Sequence, residues 1–120
     1  MIVAVPKENF PGELRVGLTP AQVPGLTGKG LSVLVEKDAG REAGFPDSRY
    51  EEKGATIVAD RKELFSKADI ILCVRTPGAN PENGQVDLEM LEAKHCLIGF
   101  SDPLGAPEVA VKVAETGCTM

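Results

Sequence analysis

The chain has 120 residues, enough for one ordinary domain and too few for two. Hydrophobic residues make up 42% and charged residues 26%, so it can build a core; the net charge of −5 gives no basic face for tracking nucleic-acid phosphates. Aromatics are only 4% and Trp is absent, so that core has to be aliphatic.

The elements alternate along the chain. Ile2–Val5 is the first β-branched run, and no basic stretch precedes it, so no signal peptide is expected. Thr19-Pro20 reads as an N-cap with Pro at the first helical position, Gly28-Lys29-Gly30 ends that helix, and Pro24 inside it predicts a short or distorted one. Leu31–Val35 is the second strand. Asp47 is expected to cap a helix over Ser48–Lys53 closed by Gly54, and Thr56–Val58 is the third strand. Asp60 caps Arg61–Lys67, with Leu64, Phe65 and Ala68 toward a sheet; Ile70–Val74 is the fourth strand. Asp87 is expected to open a helix over Leu88–Ala93, before a fifth strand at Cys96–Phe100. Pro107 opens Glu108–Glu115, with Val109, Val113 and Val111 as packing candidates, and a last strand starts at Cys118.

The strand runs are continuous in hydrophobicity, as in strands buried on both faces of a parallel sheet. The alternation predicts an α/β fold: a doubly wound, mostly parallel sheet with helices on both faces, Rossmann- or flavodoxin-like. No linker divides the chain. The longest apolar runs are far short of the ~20 residues that cross a bilayer.

The dinucleotide phosphate loop of such folds is missing. Gly25, Gly28 and Gly30 precede a strand instead of following one, Gly40-Arg41-Glu42-Ala43-Gly44 is not GxGxxG, and there is no GxxxxGK[ST]. Cys73, Cys96 and Cys118 are too far apart for a zinc knuckle or CxxC pair, and read as buried thiols of a reducing, cytoplasmic compartment. One histidine, His95, cannot anchor a multi-histidine metal site, and is placed at the edge away from the ligand in a surface or capping role.

Two turn-rich loops, Pro6 to Gly17 and Thr76 to Gln85, follow the carboxyl ends of strands, where open α/β sheets hold ligands. They or their flanks carry Lys7, Glu8, Arg15 and Arg75. Arg15 and Arg75 are the candidate ligand-binding residues, since a guanidinium grips a carboxylate with a bidentate fork. The competing reading is solvated loop charges, or pairs such as Lys7–Glu13. Asp102, in Ser101-Asp102-Pro103, faces the same edge or simply leads into the next helix.

Several fragments together carry a family resemblance: Val5-Pro6-Lys7-Glu8, Gly12-Glu13-Leu14-Arg15-Val16-Gly17-Leu18-Thr19-Pro20, Val35-Glu36-Lys37-Asp38-Ala39-Gly40, Ala43-Gly44-Phe45, and Asp69 through Pro77. In order and spacing the chain resembles the N-terminal domain shared by alanine dehydrogenases and the alpha subunit of NAD(P) transhydrogenase, over nearly its whole length. The resemblance implies an oxidoreductase piece, residues 1–120 forming one wall of a cofactor cleft. The NAD-binding Rossmann domain is expected beyond Met120, and the chain is expected to stop short of its domain's end. Partners implied are that downstream domain, a second copy in a homodimer and a membrane-embedded transhydrogenase subunit.

Carried over residue by residue, Arg15 matches the carboxylate-binding arginine of an ERRVALTP-like motif. Arg75 stands where alanine dehydrogenases have the lysine of a KVKEP-like motif, and Ser101-Asp102 where they have a catalytic histidine. These departures, with the run Leu97 to Pro103, point to transhydrogenase alpha, with an amino-acid dehydrogenase and a stand-alone binding module as the alternatives.

Overall fold

The computed structural model describes residues 1–120. Five strands, β1 (Ile2–Val5), β2 (Ser32–Glu36), β3 (Thr56–Val58), β4 (Ile70–Arg75) and β5 (Cys96–Phe100), form one sheet in the order β3-β2-β1-β4-β5. Every neighbouring pair is parallel. In place of the last strand expected from Cys118 there is an isolated parallel bridge of Thr119 to Cys96, in which the Thr119 carbonyl accepts from Leu97 N–H at 2.7 Å.

The helices are α1 (Val23–Thr27), α2 (Asp47–Glu52), α3 (Arg61–Lys67), α4 (Gln85–Leu88) and α5 (Pro107–Glu115). They cover both faces of the sheet. Val5, Val33 and Val35 pack on one side against Val23 of α1 and Tyr50 of α2. Ala4, Ile71 and Leu97 pack on the other against Leu64 and Phe65 of α3. Parity explains the division, because neighbouring strand residues point to opposite faces. Each fully buried Leu or Phe adds about 1.5–3 kcal/mol, so α3 is held by packing more than by its seven residues of helix.

The capping expectations divide. Asp60 caps α3 through Lys62 N–H at 2.8 Å. Pro24 shortens its segment to a 3-10 turn, Pro20–Gln22, followed by the five-residue α1, and the Thr19 side chain makes no capping bond. Asp47 is not the cap of α2; it is the first helical residue, and its carboxylate reaches back to Asp38 N–H at 2.9 Å. That bond steadies Asp38, which holds a left-handed φ of 62°. The helix expected over Leu88–Ala93 lies earlier, at Gln85–Leu88, because Asp87 pairs with Arg61 instead of capping. In α5, Val109 and Val113 are buried but Val111 is 58% exposed. The three cysteines are free and half-buried rather than fully buried.

The order in which strands are added to the sheet reverses between β1 and β4. From β1 the strands step one way to β2 and β3, then resume on the other side with β4 and β5. At such a switch point the loops leave in opposite directions and open a crevice beyond the strands' carboxyl ends. Lys7 and Glu8 follow β1 there, and Arg75 ends β4.

Candidate functional site

β1 and β4 pair at Val3↔Ile70 and Ala4↔Ile71 and then part. Parting strands leave backbone N–H groups that need other acceptors. Glu8 supplies them: its carboxylate accepts from Val74 N–H at 2.7 Å and Arg75 N–H at 3.2 Å. Burial pushes the Glu8 carboxyl above the usual range, although these two bonds act against the shift. Glu8, three residues beyond β1, is therefore a brace for the end of β4.

A second acid organises the arginines. Glu13 accepts from Arg15 Nε at 2.7 Å and Nη2 at 2.9 Å in a bidentate fork, and its Oε2 also accepts from Arg75 Nε at 3.0 Å. The Arg15 fork, with the Arg75 bond in support, holds the Glu13 carboxyl down at about 2. Arg75 lies over the Phe10 ring with its guanidinium carbon 4.1 Å from the centroid, which leaves Nη1 and Nη2 without a hydrogen bond in the chain. The structure thus brings Arg15 and Arg75 together on one carboxylate. The pair suggested from sequence, Lys7–Glu13, does not form; Lys7 is exposed and Glu13 is taken by the arginines.

Arg61, the first residue of α3, ties the crevice loops from below. It binds Asp87 through Nε at 2.7 Å and Nη2 at 2.8 Å, and its Nη1 reaches Glu36 and the Lys7 carbonyl. Glu36 also accepts from Lys7 N–H at 2.7 Å. Sequence reading missed Arg61, because nothing local marks a helix-start arginine as a junction of three distant segments. It also missed Asn9, which accepts from Asn80 and exchanges side chain–backbone bonds with Asn83, closing the two turn-rich loops on each other.

Asp102 lies at the crevice end of β5, where its Oδ1 accepts from Gly105 N–H at 3.0 Å. It shares a cavity of about 120 Å³ with Arg75, Gly78 and Phe100. An adjoining cavity of about 230 Å³ lies between Phe10 and Pro81. The largest opening, about 390 Å³ beside Thr19, Phe45 and Arg49, holds none of the candidates. His95 is 1% exposed and not a surface residue. Its Nδ1 accepts from Glu92 N–H at 2.9 Å and its Nε2 donates to the Phe65 carbonyl at 3.0 Å, which makes it a capping residue of the core.

The crevice does not fit a dinucleotide pyrophosphate. At the end of β1, Lys7 N–H already faces the Glu36 carboxylate, Glu8 occupies the next position, and no glycine opens the backbone there. On the β4–β5 side, Arg75 keeps two nitrogens without a hydrogen bond in the chain and shares a cavity with Phe100.

Comparison with known proteins agrees with this arrangement. Residues 4–120 match the family described as alanine dehydrogenase/PNT, N-terminal domain. Alanine dehydrogenase 1 of Staphylococcus aureus is 35% identical over 119 residues, 99% of this chain and 30% of the relative. Among solved structures, an L-alanine dehydrogenase superposes with a TM-score of 0.88 at 28% identity, over 98% of this chain and 31% of the other. A transhydrogenase from Sinorhizobium meliloti superposes at 0.84 with 31% identity, over 98% and 33%. The chain spans about a third of the length of these proteins. With its all-parallel sheet and its match across almost every residue, the chain belongs to the alanine dehydrogenase/PNT family, as an N-terminal domain of that oxidoreductase family.

Proposed function

We propose that this domain forms one wall of the cofactor cleft in a transhydrogenase of the alpha-subunit type, which moves hydride between NAD(H) and NADP(H). The observation that carries the reading is the state of Arg75. An alanine dehydrogenase of the kind the sequence resembles uses a lysine there, whose charge can be adjusted, whereas a guanidinium stays protonated. Here it is further fixed by Glu13 and Phe10. With Asp102 in place of a histidine beyond β5, the crevice is better suited to orienting a ligand than to relaying a proton at neutral pH.

In this reading the cofactor supplies the hydride chemistry. Arg15 and Arg75 line the cleft, Glu13 and Phe10 orient them, and Glu8 and Arg61 brace the loops that carry them. The pyrophosphate is held by a downstream Rossmann domain, so the 120-residue chain by itself transfers no hydride. Contact with a second copy and with a membrane-embedded subunit belongs to the same proposal.

Alanine oxidation is the second reading, favoured by the name and 35% identity of the Staphylococcus relative. Assay of the longer protein separates the two. Reduction of an NADP analogue by NADH without pyruvate turnover supports the transhydrogenase; pyruvate- and ammonium-dependent oxidation of NADH replaces it with alanine dehydrogenase. Turnover by the 120-residue chain alone would overturn the division of labour between domains.

A further inference from the structure

We propose that Asn83 is a site of spontaneous deamidation, and that its conversion to aspartate or isoaspartate unfastens the clasp between the two turn-rich loops. All three asparagines of the chain, Asn9, Asn80 and Asn83, meet in that clasp. The Asn9 side chain accepts from Asn80 Nδ2 and donates to the Asn83 carbonyl at 3.1 Å, and the Asn9 carbonyl accepts from Asn83 Nδ2 at 3.1 Å. The residue that follows each asparagine decides whether it can react, because cyclisation needs a backbone N–H on that residue and room for it to approach. Asn80 precedes Pro81, which has no N–H, and Asn9 precedes the bulky Phe10. Asn83 is exposed and precedes Gly84, which has no side chain to hinder the attack. The fold keeps this labile pair: a Cβ on Gly84 would stand 2.4 Å from the Asn80 carbonyl oxygen and 2.8 Å from Pro77 Cα, so no larger residue fits behind Asn83.

In the reaction the Gly84 backbone nitrogen attacks the side-chain carbonyl carbon of Asn83. A C–N bond forms there, the bond to Nδ2 breaks, and ammonia leaves with the Gly84 proton. Water then opens the cyclic imide. Cleavage of the new bond gives aspartate, and cleavage of the original main-chain bond gives isoaspartate. Water is the only co-reactant, and nothing is oxidised or reduced. In the closed clasp both reacting groups are restrained, since Gly84 N–H donates to the Asn80 carbonyl at 2.8 Å and Asn83 Nδ2 donates to Asn9. The rate therefore follows how often the clasp opens. Aspartate puts an acceptor where Nδ2 donated, so the Asn9 carbonyl meets a carboxylate oxygen instead of a donor. Isoaspartate takes the carbonyl gripped by Asn9 Nδ2 out of the main chain, and lengthens that chain by a carbon directly before α4. Both products loosen the same junction.

The test needs no cofactor and no turnover. The 120-residue chain is warmed in mildly alkaline buffer, and its tryptic peptides are followed by mass spectrometry with an isoaspartate assay. Modification at Asn83, ahead of Asn9 and Asn80, is the expected result. Asn9→Ala removes the side-chain half of the clasp and should speed the reaction at Asn83 roughly threefold or more, the effect of one hydrogen bond on a local opening. Asn83→Asp stands in for the product and tests the second half of the proposal without the chemistry. In that variant the side-chain amide protons of Asn9 and Asn80 should exchange with solvent roughly threefold or more faster than in the parent, while the backbone amides of β1 keep their protection and report an intact fold. A folded chain left unmodified at Asn83, a first reaction at Asn9, or a rate at Asn83 unmoved by Asn9→Ala would each overturn the site. Unchanged exchange in Asn83→Asp would overturn the unfastening of the clasp.

Discussion

Glu13 and Arg75 stand 62 positions apart in the sequence and meet through a 3.0 Å bond, with Arg15 forked onto the same carboxylate. One acid thus sets the direction of both arginines. Its low carboxyl, about 2, has a consequence for pH dependence. Between the unfolded value near 4.3 and the folded value near 2, the unfolded chain binds more protons, so this contribution to stability is complete above about pH 4.5 and lost as pH falls toward 2. Glu13→Gln should therefore be less stable than the parent at pH 6, with the gap shrinking steadily toward pH 2. Denaturation at a series of pH values checks this; a constant gap would mean that the charge is not what Glu13 contributes.

Arg15 and Arg75 should respond differently to removal. The Arg15 side chain is 68% exposed and that of Arg75 is 28% exposed, packed on Phe10. Arg15→Ala should lower the melting temperature at pH 6 by no more than Glu13→Gln does, since Arg75 still holds the carboxylate and the arginine end of the pair is exposed, while weakening ligand binding in the longer protein more strongly. A fall in melting temperature with unchanged binding would assign Arg15 a structural role only.

Arg61 makes the larger structural prediction. It is 19% exposed and neutralises Glu36 and Asp87, each 14% exposed. Arg61→Ala leaves both acids without their partner and should cost about 3–5 kcal/mol, read from urea denaturation. Arg61→Lys should recover only part, since an ammonium cannot fork onto Asp87 and also reach the Lys7 carbonyl. Full recovery with lysine would show that charge alone matters there.

The sheet was legible in the sequence because its strands are continuous apolar runs, and β1, β3 and β5 fall where those runs place them. The Asp60 cap and the shortening by Pro24 were legible because both act within one helical turn. Asp47 and Asp87 were misread for the same reason: each looks like a cap locally, and each is claimed by a partner at a distance, Asp38 N–H and Arg61. The crevice residues follow this pattern. Arg15 and Arg75 could be named from a motif, but Glu13, Phe10 and Glu8 acquire their roles only once β1 and β4 lie side by side.

Tyr50 and Gly40 give the last prediction. The phenol of Tyr50 is buried under α2, donates to the Leu18 carbonyl at 2.8 Å, and is pushed up to about 12, first by burial and then by Asp47. Gly40 lies against its ring: a Cβ there would stand 2.7 Å from both Cε2 and Oη, and 2.9 Å from the Phe45 carbonyl. Gly40→Ala should therefore displace the ring and cost about 1–3 kcal/mol by overpacking. Tyr50→Phe keeps the ring but leaves the Leu18 carbonyl unpaired, and should cost about 1–2 kcal/mol. Because the two act on one contact, the double variant Gly40→Ala with Tyr50→Phe should be less destabilised than the sum, since loss of the hydroxyl removes one of the colliding atoms. Thermal or urea denaturation of the four proteins checks the cycle. Strict additivity would show that the alanine is accommodated by backbone movement near Phe45 rather than by pressing on the phenol.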